Sequence, residues 1–173
     1  MTSIPLNPQR SALGPSRVIA LVGLGCLALI AGAWFFEIVV GLRPCKLCLE
    51  QRLPHYAAMG LAAAGLVLAR SSRLQWLVLL GLAGLMLWST GLGVYHAGVE
   101  WGWFAGPNDC GGAAAPAAAG VQDFMKQLQT TRVVACTEAA WRWLGLSLAG
   151  WNAIASLGLL GLALLGLRGR TRG

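Results

Sequence analysis

The residues with most chemistry to offer in this 173-residue chain are its five cysteines, Cys26, Cys45, Cys48, Cys110 and Cys136. Cys45-Lys46-Leu47-Cys48 is a C-x-x-C pair, a spacing that often lowers a thiol pKa and makes it redox-active. Other uses of such a pair fit less well. Zinc would need Cys110, Cys136, His55 or His96 to complete a site, yet the second cysteine pair lacks C-x-x-C spacing. Covalent haem attachment would need a histidine straight after Cys48, where Leu49 stands, and a thioredoxin-like fold would need a βαβ pattern that is absent. Cys26 lies in an apolar run, where cysteine behaves as a small hydrophobe. Arg52 shares a helical face with Cys48 if the helix has begun by Leu49. There a guanidinium would stabilise a thiolate and could bind a carbonyl oxygen of a lipid-soluble acceptor. An interfacial arginine snorkelling to water fits the spacing equally.

The elements that must position these residues follow from composition. Hydrophobic residues make up 57% of the chain and charged ones 11%, against about 25% charged in a soluble domain. Lipid is therefore the expected solvent for most of it. We expect a single all-α domain, a four-transmembrane-helix bundle with spans at about 18–40, 53–69, 74–97 and 144–167 and outer segments at 41–52 and 98–143. A signal peptide cleaved near Ala31-Gly32-Ala33 competes for the first span, but the apolar stretch runs on past that point. Pro54 is expected in the first turn of the second helix, where its missing N–H costs nothing.

Charge gives the orientation. Arg10, Arg17, Arg70, Arg73, Arg168, Arg170 and Arg172 occupy the two tails and the 70–73 turn, with no acid among them. All six acidic residues fall in or beside the outer segments, balanced there by six basic ones, so the net charge of +7 belongs to one side. Basic short loops stay cytoplasmic, and four spans put both termini there. The basic excess is thus a topology signal rather than a nucleic-acid surface. Four of the cysteines then lie on the opposite side, which in bacteria is oxidising.

The second outer segment carries an Ala/Pro linker at 113–119, then Val121, Phe124, Met125 and Leu128 at helical spacing. A short helix lying on the membrane surface is expected there, with an ordinary soluble loop helix as the alternative. Small residues four apart at Ala28/Gly32, Gly60/Ala64 and Ser89/Gly93 would let helices approach closely.

Cys45-Lys46-Leu47-Cys48-Leu49-Glu50-Gln51-Arg52 resembles the signature of the disulfide bond formation protein B (DsbB) family. So do Tyr95-His96, Gly98-Val99-Glu100-Trp101-Gly102-Trp103, Gly106-Pro107, Cys110, Cys136, Leu144-Gly145-Leu146-Ser147 and Trp151-Asn152. The resemblance covers nearly everything after the first tail. It implies a bacterial inner-membrane thiol:quinone oxidoreductase with its cysteine loops in the periplasm. A reduced DsbA-like thioredoxin-fold partner would attack a Cys110–Cys136 disulfide at Cys110, and exchange would carry the electrons to Cys45–Cys48. Cys48 would deliver them to ubiquinone or menaquinone, with Arg52 and His96 at the quinone and no metal. His55 has no assigned role. Glu37 is expected to be a carboxylate snorkelling to the interface, with a role at the quinone end as the alternative. A sibling oxidase with a dedicated substrate, a vitamin K epoxide reductase-like bundle and a scaffold with ordinary disulfides are the competing readings.

Overall fold

The computed structural model describes residues 14–107, 120–122 and 135–168. Four long helices account for most of them: α1 (Pro15–Ile38), α2 (Lys46–Leu68), α3 (Ser72–Glu100) and α4 (Leu148–Arg168). Pro15 opens α1, a position that suits proline because the first N–H groups of a helix lack intrahelical partners. Ser71 caps α3, its hydroxyl accepting the Leu74 N–H, and so turns the chain sharply after α2. α3 is the centre of the bundle. It packs most extensively on α4, then on α2, while α1 closes the far side against α2 and α4.

The exterior of this bundle is unlike that of a water-soluble protein. Leu24, Val67, Leu87, Leu157 and Leu165 point outward and are each more than half exposed, whereas Gln51, His55, Ser89, His96 and Ser156 are buried. An apolar exterior on that scale is incompatible with water and expected against lipid. α1, α3 and α4 are each long and apolar enough to cross a membrane. α2 is not among them; its first three turns carry Lys46, Glu50, Gln51, Arg52, His55 and Tyr56.

Several boundaries differ from the sequence reading. α2 begins at Lys46, not Leu53, because Cys45 caps it. Pro54 accordingly sits inside the helix rather than in its first turn, where it forgoes the backbone bond to the Glu50 carbonyl. The last helix starts at Leu148, where a span was expected from about Leu144. Residues before it form a small antiparallel hairpin, β1 (Arg142–Trp143) and β2 (Leu146–Ser147), with Arg142 opposite Ser147. Leu144 and Gly145 turn the hairpin with φ of 52° and 80°, the pair of positive φ values of a type I′ turn. Glycine adopts this readily and leucine does not, so only half of the turn is written in the sequence. The expected surface helix after Val121, the Ala/Pro linker and Cys110 fall largely or wholly outside the described residues.

The bundle has two interiors. Away from the cysteines, Val18, Ile19, Val22 and Cys26 of α1 pack with Ala58 and Ala62 of α2, Leu79, Leu82 and Met86 of α3 and Ala163 of α4. Gly23 and Gly93 allow close contacts there and at mid-bundle, since a Cβ on either would lie about 3 Å from Ala62 or Ala153 respectively. Of the small-residue pairs expected from spacing, only Ser89/Gly93 meets a neighbouring helix at both positions, Ser89 bonding Ser156 and Gly93 abutting Ala153. Gly32 and Gly60 face open space. The second interior, at the cysteine end, holds Cys45, Leu47, Val99 and Cys136, with Cys48 against them.

Candidate active site at the amino end of α2

The chain leaves α1, turns at Gly41 (φ 78°) and enters α2 with Cys45 as the capping residue. Its sulfur accepts the Cys48 N–H at 3.3 Å. This brings the two thiols of the C-x-x-C pair together, with their Sγ atoms 2.9 Å apart. A helix amino terminus favours negative charge nearby, and the two thiols share it unequally. The Cys45 thiol is pushed up to about 12, first because its hydrogen bond with Cys48 keeps the proton on it and then by burial; His96 works against this. The same bond from Cys45 holds the Cys48 thiol below the ordinary 9.0, against burial and the charges of Cys136 and Glu100. Cys48 is therefore the thiol of the pair that ionises first.

Cys136 packs into this group. Burial raises its thiol, while the Leu47 and Lys46 N–H groups lower it, so its sulfur lies over the first turn of α2 beside Cys45. The segment after the long outer loop thus returns one cysteine of the second pair to the first pair.

A cavity of about 370 Å³ opens beside Cys45 and Cys48. Leu29, Ile30, Ala33 and Phe36 of α1 and Ala155 of α4 supply apolar wall, and Arg52, His96 and Glu100 supply the polar end. Arg52 is held from two sides. Its Nη1 donates to Glu37 Oε2 at 2.6 Å, and its guanidinium lies 5.8 Å from the Trp34 ring centre. Trp34 is itself anchored by donating to the Tyr56 hydroxyl at 3.0 Å. The expected snorkelling role of Glu37 is corrected here: it is the ion-pair partner of Arg52. α1 and α2 are packed side by side, so a carboxylate near the end of one reaches the guanidinium of the other.

His96 is buried with its Nε2 3.6 Å from Cys45 Sγ and 3.7 Å from Glu100 Oε1. Its other ring nitrogen meets Gln51 Nε2 at 2.5 Å. Gln51 Oε1 in turn accepts from Asn152 Nδ2 at 2.7 Å. Below them His55 reaches the Gln51 carbonyl and Ser156, and Ser156 reaches Ser89. The site residues named from sequence thus fall together: Cys45, Cys48, Arg52 and His96 line one cavity, and Cys136 abuts it. Cys110 is outside the described residues.

Sequence reading passed over Gln51, Asn152, Glu100 and the pairing of Glu37. A signal for some of them was present. Cys48, Gln51, Arg52 and His55 follow one another at i, i+3, i+4 and i+7, a single polar face on a helix of otherwise apolar character. His96/Glu100 and Asn152/Ser156 repeat the i, i+4 spacing on their own helices.

Comparison with known proteins places this arrangement. The model of the disulfide bond formation protein DsbB family matches residues 15–166, which takes in the C-x-x-C pair, the cavity and Cys136. The chain belongs to the DsbB family. Relatives match it over most of their length. Disulfide bond formation protein B of Verminephrobacter eiseniae is 37% identical over 174 residues, covering 90% of this chain and 89% of that one. Its counterpart from a Polaromonas species is 32% identical, covering 91% and 95%. That of Dechloromonas aromatica is 31% identical, covering 84% and 88%. Membership of the DsbB family makes the chain a membrane protein of disulfide formation. It also removes a vitamin K epoxide reductase-like bundle and a passive scaffold from consideration.

Proposed function

We propose that the chain is a membrane thiol:quinone oxidoreductase that reoxidises a DsbA-like dithiol partner of the thioredoxin fold. The observation that carries the reading is the Cys45–Cys48 pair, set at a helix amino terminus on an apolar-walled cavity whose polar end holds Arg52 and His96. A quinone suits that cavity. Its ring and tail need apolar wall and an opening to lipid, and its carbonyl oxygens need donors. When bound there it supplies a two-electron, two-proton acceptor confined to the membrane; ubiquinone and menaquinone both meet this description.

The chain's residues divide the remaining work. A partner thiolate attacks the Cys110–Cys136 disulfide at Cys110, and a second exchange leaves the partner oxidised and the two cysteines reduced. Cys136, lying against Cys45, then attacks the Cys45–Cys48 disulfide, and a second exchange by Cys110 re-forms the Cys110–Cys136 disulfide and leaves Cys45 and Cys48 as a dithiol. The resulting dithiol loses two electrons and two protons as its disulfide re-forms. Cys48, the more acidic thiol, lines the cavity the acceptor would occupy, and Arg52 would stabilise negative charge moving there. The Glu37 carboxylate and Trp34 keep the guanidinium aimed while lowering its cost in an apolar setting.

Topology fits this division. With α2 from about Leu53 onward as a fourth span, forming one integral membrane domain, both arginine-rich termini lie in the cytoplasm and the cysteine segments in the periplasm. The outward-facing Leu53, Leu66, Val67 and Leu68 of α2 support that count. The partner is then confined to water and the acceptor to lipid, and two dithiol pairs bridge the boundary by short-range exchange. The test is turnover. Purified protein with a reduced DsbA-like partner and a quinone should bleach the quinone absorbance, and serine at any of positions 45, 48, 110 or 136 should stop it. Undiminished turnover in a Cys45/Cys48 double variant would overturn the relay.

A further inference from the structure

Two buried side-chain amides at the cysteine end have hydrogen-bonding roles that can be followed atom by atom. Asn152 Nδ2 carries only N–H groups, so it donates, and Gln51 Oε1 accepts at 2.7 Å. The opposite end of the Gln51 amide is then Nε2, which also only donates. It faces His96 Nδ1 at 2.5 Å, so Nδ1 offers its lone pair and the ring proton belongs on Nε2. A second observation also calls for a proton on Nε2. Nε2 faces Glu100 Oε1 at 3.7 Å, and a carboxylate oxygen can only accept. Glu100 is buried, and its other oxygen has no partner among the described residues. Turning both amides round would put a proton on Nδ1, and Nε2 would then face that carboxylate with a lone pair unless the ring were charged.

We propose that Asn152 and Gln51 are positioning residues that hold His96 as a hydrogen-bond donor toward the Cys45–Cys48 pair, with its ring proton on Nε2. Nε2 lies 3.6 Å from Cys45 Sγ. A donor there stabilises negative charge on the sulfur but cannot take its proton, so His96 is no base toward Cys45. The arrangement also bears on metal binding. The donor atoms of Cys45, Cys48 and His96 lie within 4.8 Å of one another, but a metal ion would need the Nε2 lone pair that this hydrogen-bond chain withholds. The link to thiol oxidation rests on the function proposed above; the tautomer does not.

The two histidines of the chain make the test clean, because the structure gives them opposite tautomers. His55 Nδ1 lies 2.9 Å from the Gln51 backbone carbonyl, which only accepts, so His55 carries its proton on Nδ1. Nitrogen NMR of the full chain with isotope-labelled histidine should show one ring of each kind, the His96→Gln spectrum assigning them. In Asn152→Asp the new carboxylate accepts from Gln51 Nε2, turns the amide, and moves the His96 proton to Nδ1 without touching His96. Oxidation of the Cys45–Cys48 dithiol by quinone should then slow about 10-fold, the worth of one hydrogen bond to a charged group. Gln51→Glu, which presents only acceptors to His96, should give the same tautomer should Asn152→Asp fail to fold. An Nδ1-protonated His96 in the wild type would overturn the proposal. So would an unchanged His96 pattern in both variants, or a moved proton with an unchanged oxidation rate. Opposite tautomers in a wild type that oxidises no dithiol would sustain the hydrogen-bond assignment while defeating the functional reading.

Discussion

The two ends of the bundle are built on different physics. Around Leu82 and Met86 the interior is apolar, and packing does most to hold the helices together, with one weak sulfur contact from Cys26 to Met86. Around Gln51 and His96 the interior is polar, and every element is tied to another by directed bonds: α1 to α2 through Glu37–Arg52, α2 to α3 through Gln51–His96, α2 to α4 through Gln51–Asn152. Packing is non-directional, whereas a hydrogen bond is set by both distance and angle. Buried polar groups also cost stability unless satisfied. The difference teaches that the cysteine end gives up simplicity to fix atoms, which is what electron transfer between thiols and a bound acceptor requires.

That contrast can be broken from either side. The largest effect on turnover is expected from Cys48→Ser, which removes the more acidic thiol of the pair lining the cavity. Quinone reduction should fall by more than about 10²-fold with the thermal unfolding midpoint little changed. Next is Glu37→Gln, which frees Arg52 without removing it. Turnover should drop about 10-fold, chiefly through a raised KM for quinone, measured by steady-state titration. Acid–base behaviour gives a smaller, sharper test. Alkylation of the reduced pair should follow the thiolate, so Cys48 should react with a midpoint below 9.0 and Cys45 only toward about 12. Because Glu100 raises the Cys48 thiol, Glu100→Gln should move the Cys48 midpoint to lower pH; an upward move would contradict the charge arrangement. Least of all should turnover respond to Leu82→Ala at the aliphatic end. That change should cost about 2–4 kcal/mol of stability, read by denaturation in detergent, while activity per folded molecule stays at the wild-type level.

The same contrast explains what the sequence disclosed. Hydrophobic runs and arginine placement are local patterns, and they located α1, α3 and α4 to within a few residues at most ends. The C-x-x-C pair and Arg52 were legible because their chemistry depends on spacing along one helix. The start of α2 was not, since a cysteine cap does not announce itself as serine or aspartate would. Nor was the hairpin before α4, because Leu144 adopts a backbone conformation that its side chain disfavours. Glu37 with Arg52, and Gln51 with His96 and Asn152, join residues on different helices. Only the packing of those helices decides such pairs, and no spacing within one segment encodes them.

The central claim is that the Cys45–Cys48 pair, at the polar end of the cavity, is the direct electron donor to the quinone. It is tested most directly by a single turnover without air, using fully reduced protein in which Cys110 and Cys136 are both alanine. One equivalent of quinone should be consumed, and mass spectrometry should find one new disulfide joining Cys45 to Cys48. If that variant leaves the quinone oxidised while the reduced wild type consumes it, the donor is the outer pair and the account is wrong.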